Sequence, residues 1–422
     1  MNEEVSLYHK KNKGARMNIK VSTVTNPIFY LTLACYVGEA TLSMIGISIH
    51  VTASAMYLLV FVALLLTFRK RIIIKVQAFD IVSLFYLYIV VRNITANLET
   101  MEAYLMPNLI TWLMLVLLCK CYLCDDQYGL FLKITYVFVS VLMIIGVGKV
   151  ILVGGRLAVF GGPNGFYKFA MLFQTLSFSK YVFEKKRIHV VGIISGLILA
   201  IMTGSKGAII SIIIIVPLEY LLYILQNKKL NEIPKKIVQL GLVTVAGLLL
   251  YYNFADSIPG FSTAFNRGVA ILHSNQNELT SVAARYRLLN MSVDYFIQSP
   301  VFGKGARYMY YDTLNSYSPQ PYAHNVFFEM LGEQGLIGFS LFLFILFIMV
   351  MNLKKIGIRN IYSMSFSLGF IVYFIGAQFS GNILDTKMAI FFAEMIIVLG
   401  SRKNLSKMTV LEDNTTSTIG VF

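Results

Sequence analysis

The sequence predicts an all-α polytopic membrane protein with about twelve transmembrane helices and one large loop outside the cytoplasm. Hydrophobic residues make up 57% of the 422 residues and charged residues 14%, and the mean hydropathy is +0.70, which is too apolar for a soluble globule. Apolar runs of about 16 to 22 residues recur along nearly the whole chain, long enough to cross a hydrocarbon core as helices. The runs do not alternate as the strands of a β-barrel do, and lipid offers no partner to unpaired backbone groups.

The predicted spans follow one another from residue 27 to residue 400. They are 27–46, 50–68, 78–96, 105–122, 130–152, 166–183, 188–203, 207–225, 237–254, 324–351, 361–380 and 385–400. The expected organisation is a basic cytoplasmic N-terminus (1–26), spans one to nine (27–254), a large outer loop (255–323), spans ten to twelve (324–400) and a cytoplasmic tail (401–422).

The sidedness follows from the positions of lysine and arginine. Basic clusters lie at the N-terminus and in every second loop, including Arg69-Lys70-Arg71, Lys185-Lys186-Arg187, Lys228-Lys229, Lys354-Lys355 and Arg402-Lys403. The positive-inside rule therefore predicts that both termini lie in the cytoplasm. The net charge of +15 comes mostly from these clusters. It favours binding to anionic lipid headgroups at the inner surface over binding to nucleic acid.

The outer loop contains one predicted amphipathic helix, Ser281–Ile297, with apolar residues at three- and four-residue spacing. We expect it to lie along the membrane surface with that face toward lipid or the bundle. Gly303-Lys304-Gly305 predicts a flexible corner beyond it. The acids of the outer loops are scattered and lack metal-ligand spacing, so we expect a metal-independent site without a cofactor.

Arg285 and Arg287 are the first candidates for a site. A guanidinium keeps its charge and can hold phosphate through two hydrogen bonds, which suits a lipid diphosphate at the interface. The alternative is that they only extend toward lipid headgroups. Residues two apart on a helix point about 200° apart, so we expect the two arginines to have different partners.

His324 opens the tenth span and could accept a proton near neutral pH, or it could be a structural histidine at a helix start. Gly335 and Gly338 follow in the same span, where small residues allow close packing that could fix the direction of the imidazole. Arg156 and Lys206 lie in two other outer turns and could join one cationic cluster with the large loop. Arg92 lies near an outer helix end, and we expect its role to be structural.

Four motifs together resemble those of the O-antigen ligase and polymerase superfamily of bacterial envelope enzymes. They are Arg285-Tyr286-Arg287-Leu288-Leu289, Ser299-Pro300-Val301-Phe302-Gly303-Lys304-Gly305, His324-Asn325 followed by Gly335 and Gly338, and Thr203-Gly204-Ser205-Lys206-Gly207-Ala208. Each motif is weak alone, but their order and spacing are fairly specific. In the fourth motif the family usually has arginine where this chain has Lys206.

The resemblance implies a GT-C-like glycosyltransferase of the bacterial inner membrane, with its site on the periplasmic or extracellular face. Its substrates would be sugars linked to undecaprenyl diphosphate, with a chain-length regulator protein as a possible partner. Arg285 would stabilise the diphosphate as it leaves, and His324 would take the proton of the attacking hydroxyl in an inverting reaction. The predicted substrate-binding residues are Arg287, Arg156, Lys206, Asn325 and Lys304.

The resemblance favours a polymerase of O-antigen or capsule, which moves the growing glycan onto the next lipid-linked repeat unit. An O-antigen ligase, which transfers glycan to lipid A-core, has the same donor chemistry and stays open as the alternative. A flippase for the same lipid-linked unit is a third possibility, but transporters bind at the middle of the bilayer. The candidate cations here lie at the outer ends of the spans.

Overall fold

The computed structural model describes residues 81–96, 128–153, 162–226, 276–312, 322–358, 360–379 and 386–401. The predicted spans 27–46, 50–68, 105–122 and 237–254 lie outside these residues. The described part is all-helical, and we number its helices in chain order. They are α1 (Ile81–Ala96), α2 (Tyr128–Val153), α3 (Gly162–Glu184), α4 (Ile188–Met202), α5 (Lys206–Gln226), α6 (Gln276–Gln298), α7 (Tyr308–Asp312), α8 (Val326–Glu329), α9 (Gly335–Ile356), α10 (Ile361–Phe379) and α11 (Lys387–Ser401).

The helix boundaries agree with the predicted spans to within a few residues wherever both exist. Among the described residues, three stretches are long and apolar enough to cross a membrane: α5, Val326–Ile356 (which comprises α8, a π-helical turn and α9) and α10. The chain is therefore a membrane protein with several candidate spans, while the total of twelve and the position of the termini stay predictions.

The centre of the described bundle is formed by α3, α10 and α11. Residues 170–179 of α3 are all buried, as are Ala389–Ile397 of α11. The surrounding helices carry apolar stripes on their outer faces: in α4, Ile188, Val191, Ile194 and Ile198 are between 49% and 64% exposed. A helix that is apolar on both its packed and its exposed side suits a lipid environment. Inside the bundle, the Gln174 Nε2 donates to Glu219 at 2.5 Å, which links α3 to α5.

A cluster of basic groups lies at one end of the bundle. At the turn between α3 and α4, Glu184 forms ion pairs with Lys180 at 2.8 Å and Lys186 at 3.4 Å, and His189 Nε2 lies 3.0 Å from its carboxylate. Burial alone would raise the pKa of Glu184, but the hydrogen bonds from Lys180 and His189 outweigh it and hold the pKa at about 2. The carboxylate is thus charged at physiological pH and fixes this turn.

The tenth predicted span is not one regular helix. After α8, Met330–Gln334 form a π-helical turn. Gly335, the first residue of α9, has φ +64° and interrupts the regular helical backbone. Inserted π-helical turns are uncommon and occur often at functional sites. The break frees backbone carbonyls that a neighbouring segment can use, and that segment is the turn at residues 299–306.

This turn, which we call the glycine turn, is bonded on both sides. The N–H of Lys304 donates to Gly332 O at 3.1 Å and that of Gly305 to Glu333 O at 2.7 Å. In return, the N–H of Leu336 donates to Pro300 O at 2.8 Å. The expectation of a flexible corner at residues 303–305 is therefore wrong, because the backbone there is hydrogen-bonded to the broken helix.

The glycines of the motif are explained by these close approaches. A Cβ on Gly335 would lie 2.4 Å from Gly303 N, and one on Gly303 would lie 2.4 Å from Glu333 C, so neither position has room for a side chain. A Cβ on Gly338 would lie 2.8 Å from Tyr88 Cε1 of α1. Gly338 thus allows the close helix packing that we expected, whereas Gly335 allows a turn to dock.

Helix α1 holds the glycine turn from the other side. Arg92 donates from Nε to Phe302 O at 3.0 Å and from Nη2 to Gly303 O at 2.6 Å, and Asn93 Oδ1 accepts from the N–H of Ala306 at 2.7 Å. The Tyr88 hydroxyl donates to Gln334 O at 2.6 Å. Arg92 is therefore structural, as expected, because its guanidinium donates hydrogen bonds to two backbone carbonyls.

Candidate active site

His324 lies between the outer loop and α8, in an unusual backbone conformation. Its φ is +56°, in the left-handed region that non-glycine residues rarely adopt. The ring lies against Tyr322, with centroids 4.1 Å apart. Nδ1 is buried and has no hydrogen-bond partner among the residues that the structure describes. An imidazole without a proton on one nitrogen can act as a proton acceptor.

The environment keeps this imidazole neutral. Burial and, next, the positive charge of Arg285 lower the pKa of His324 to about 4, while the carbonyl of Phe379 acts in the opposite direction. His324 is therefore uncharged at neutral pH, which is the form that a general base needs.

Helix α6 places the two arginines on different faces. Arg285 is half-buried and lies close enough to His324 to affect its pKa, whereas Arg287 is exposed. The expected separation of the two side chains is confirmed. Arg285 is on the packed face together with Leu288, Ser292 and Tyr295, where the Ser292 backbone lies against Gly332.

The apolar stripe predicted for α6 is not the face that packs. Tyr286 is 66% exposed and Val293 36% exposed, while Tyr295 is buried and donates to Asp312. The packed face combines Leu288 and Met291 with Tyr295 and α7. The helix also begins earlier than predicted, at Gln276. Its more exposed apolar side chains fit the alternative that the stripe faces lipid.

Asn325 begins α8 as its N-cap. Its Oδ1 accepts from the N–H of Phe327 at 3.0 Å and of Phe328 at 3.3 Å. This cap fixes the start of the helix next to His324, so the structure gives Asn325 a positioning role. Substrate binding by Asn325 stays a prediction.

Lys304 lies in the glycine turn, where its ammonium is 5.5 Å from the ring centroid of Tyr308. Next to it, Arg307 has φ +63° and is buried, and its N–H donates to Glu333 Oε2 at 2.8 Å. These contacts support the base of the outer loop. They do not bring Lys304 to His324, and its predicted contact with substrate stays a prediction.

Lys206 lies in the predicted tight turn at residues 203–207, and the structure makes it the first residue of α5. Ser205 donates to Asn164 Oδ1 at 2.7 Å, which ties this turn to the start of α3. At the next position, a Cβ on Gly207 would lie 2.7 Å from the Tyr167 hydroxyl. Tyr167 lies near Tyr322, whose ring packs against His324 at a tilt of 46°. The turn is therefore connected to the histidine through two tyrosines.

A residue that the sequence reasoning passed over lies at the same end of α3. Lys168 is half-buried next to Tyr167, and its aliphatic chain fills the space above Gly376 of α10. A signal for it was present: a lysine inside a predicted span is costly unless it is used, which is the argument that drew attention to Lys206.

The structure thus brings together Arg285 and His324, with Lys206 and Lys168 at neighbouring helix ends. Arg156 lies outside the described residues. The described residues contain no group of three or more histidine, cysteine or acidic side chains that could hold a metal ion.

One comparison with known proteins found a match. Residues 191–343 match the model of the O-antigen ligase family (Wzy_C), which is rather more than a third of the chain. The matched segment includes Lys206, Arg285, Lys304 and His324. No curated protein matched the chain. Residues 191–343 therefore form an O-antigen ligase family domain, which is a domain of membrane glycosyltransferases.

Proposed function

We propose that this protein is a polysaccharide polymerase that transfers a growing glycan from its lipid diphosphate carrier onto the next lipid-linked repeat unit. The observation that supports it best is the pairing of a half-buried cation with a neutral imidazole, Arg285 beside His324. One group can stabilise an anionic leaving group while the other accepts a proton, and glycosyl transfer from a diphosphate requires both.

In the proposed reaction, the hydroxyl of the acceptor sugar attacks the anomeric carbon of the donor. The new C–O bond forms as the bond between the anomeric carbon and the diphosphate oxygen breaks, and the lipid diphosphate leaves with the electron pair. The imidazole of His324 takes the proton of the hydroxyl and becomes imidazolium. Arg285 stabilises the charge that develops on the diphosphate. Attack opposite the leaving group inverts the anomeric configuration.

The placement of the cations also supports the proposal of a polymerase. A polymerase handles two lipid-linked substrates, each of which carries a diphosphate. Two candidate cations lie on separate elements, Arg285 on α6 beside His324 and Lys206 at the start of α5. Two separate groups are better suited to two anionic substrates than one cluster would be.

The proposal is tested with His324→Ala and Arg285→Met, expressed in the native host and as purified protein given lipid-linked repeat units. We expect both variants to lose the ladder of long products, by about 10²-fold or more in rate. Arg187→Met is the matched control, because Arg187 is an exposed arginine at the opposite end of the bundle. Normal product ladders from either site variant, at normal expression, would remove that residue from the mechanism.

A ligase is the second candidate, and the name of the matched family favours it. The two activities differ in acceptor, so a deletion strain separates them. Without a polymerase, single repeat units are still attached to their final acceptor. If the deletion also abolishes attachment of single units, the protein is a ligase.

A further inference from the structure

The outer end of α3 presents two consecutive side chains to α10 at Gly376. A Cβ on Gly376 would lie 2.7 Å from Lys168 Cε and 3.2 Å from the Tyr167 hydroxyl. The missing side chain at this position is what leaves room for both groups. Lys168 is half-buried there.

This place is next to the proposed site. Gly376 precedes Phe379 by three residues, so both lie on the same side of the last turn of α10. The carbonyl of Phe379 acts on the imidazole of His324. On the other side, the Tyr167 hydroxyl approaches Gly207, which directly follows Lys206. Lys168 and Lys206 are therefore each the chain neighbour of a residue in one contact, that of Tyr167 with Gly207, at the end of the bundle where Phe379 lies against His324.

The chemistry of lysine suggests why two would be needed. A guanidinium can hold both oxygens of a phosphate with one side chain, whereas an ammonium is a compact point charge. A diphosphate carries charge on two phosphoryl groups, and one lysine at position 206 can neutralise only part of it. A second ammonium nearby would neutralise more of the charge of the diphosphate.

We propose that Lys168 is a further diphosphate-binding residue that acts together with Lys206 on the lipid carrier. The inference rests on the proposed function, because it assigns a ligand to the same site. The alternative is that Lys168 only fills the space above Gly376 with its aliphatic chain.

The test compares Lys168→Met, which keeps the length of the side chain, with Lys168→Arg, which keeps its charge. Dissociation constants for undecaprenyl diphosphate and undecaprenyl monophosphate are measured on the purified full-length protein by native mass spectrometry. We expect Lys168→Met to weaken diphosphate binding about tenfold and monophosphate binding by less, since a charge-assisted contact is lost. Lys168→Arg should stay close to the wild type.

Lys133→Met is the matched control. Lys133 is an exposed lysine that lines a cavity of about 160 Å³ with Lys180 and Glu184, at the basic end of the bundle. Its loss should leave both dissociation constants unchanged. The dependence of diphosphate binding on salt concentration gives a second readout: removing a contacting cation lowers its slope, whereas loss of packing does not.

A glycine substitution tests the geometry independently of charge. Gly376→Ala forces Lys168 and Tyr167 to move and should weaken diphosphate binding about as much as Lys168→Met. Gly148→Ala is its control, because a Cβ there meets nothing within 4 Å.

The outcomes separate this inference from the proposed function. If Lys168→Met binds undecaprenyl diphosphate within twofold of the wild type, while Arg285→Met and His324→Ala are inactive, only the role of Lys168 is overturned. If Arg285→Met and His324→Ala make normal ladders, the proposed function itself fails. Equal weakening of diphosphate and monophosphate binding, with an unchanged salt slope, would assign Lys168 to packing and overturn the proposal.

Discussion

At the scale of single residues, the surroundings of His324 keep its imidazole unprotonated but also make it a weaker base. Burial and the charge of Arg285 hold the pKa of the imidazole at about 4, so the ring is neutral but weakly basic. A bound diphosphate would offset the charge of Arg285 and raise that pKa. The base would then become stronger when the donor is in place.

We therefore expect the two kinetic parameters to depend differently on pH. The acid limb of kcat/KM, which reports the free enzyme, should lie near pH 4, because above its pKa His324 is unprotonated and competent. The acid limb of kcat should lie at a higher pH, since it reports the complex with bound diphosphate. Rates measured between pH 4 and 8 on purified protein check this, and a common limb near 6.5 would contradict it.

At the scale of elements, the glycine turn and the broken helix form one unit. The turn bonds to Gly332, Glu333 and Leu336, and Arg92 closes it from α1. The broken helix begins with α8, which directly follows His324 and Asn325 in the chain. This unit therefore sets the position of those two residues. The hydrogen bonds between the turn and Gly332, Glu333 and Leu336 join backbone atoms, so at those positions substitution is limited by space, whereas α1 holds the turn through side chains.

Gly335→Ala should disrupt this unit. The residue needs φ +64°, and its Cβ would lie 2.4 Å from Gly303 N, so we expect a loss in unfolding free energy of at least about 2 kcal/mol. Long-chain product should fall with it. Thermal unfolding in detergent measures the effect, with Gly148→Ala as the unstrained control. Equal melting temperatures for the two variants would show that the turn does not need its glycine.

The sequence predicted this unit only in part. Periodicity and apolar length were enough to place α2 to α5 and α10 within a few residues, and the motifs pointed to Arg285 and His324. The break at Gly335 was not predicted: Glu333 and Gln334 interrupt the apolar run there, but a π-helical turn has no hydropathy pattern of its own. The packed face of α6 was also missed, because Ser292 and Arg285 on that face are polar. Lys168 was missed because it contacts residues more than 200 positions away.

At the scale of the whole molecule, the described bundle has two chemically different ends. One end carries Lys180, Lys186, Arg187 and the Glu184 ion pairs, and the other carries Arg285 and His324. The positive-inside rule assigns the first end to the cytoplasm and the second to the outer face. Lipid-linked sugars would be available to the site there, whereas nucleotide sugars of the cytoplasm would not.

Cysteine labelling tests this orientation. In a background with the native cysteines replaced by serine, Asn290→Cys lies on the exposed side of α6 and Lys186→Cys on the exposed α3–α4 turn. A membrane-impermeant maleimide should label the first variant in intact cells and the second only after permeabilisation. The reverse pattern would invert the protein and place the proposed site in the cytoplasm.

The backbone of His324 has a consequence for any attempt to make this protein more robust. Glycine and asparagine adopt its left-handed conformation more readily than histidine does. A screen that selects for heat resistance alone would therefore favour replacing this residue. The most heat-stable variants would then lack the proposed base and make no glycan. Such a screen therefore has to select for product in every round.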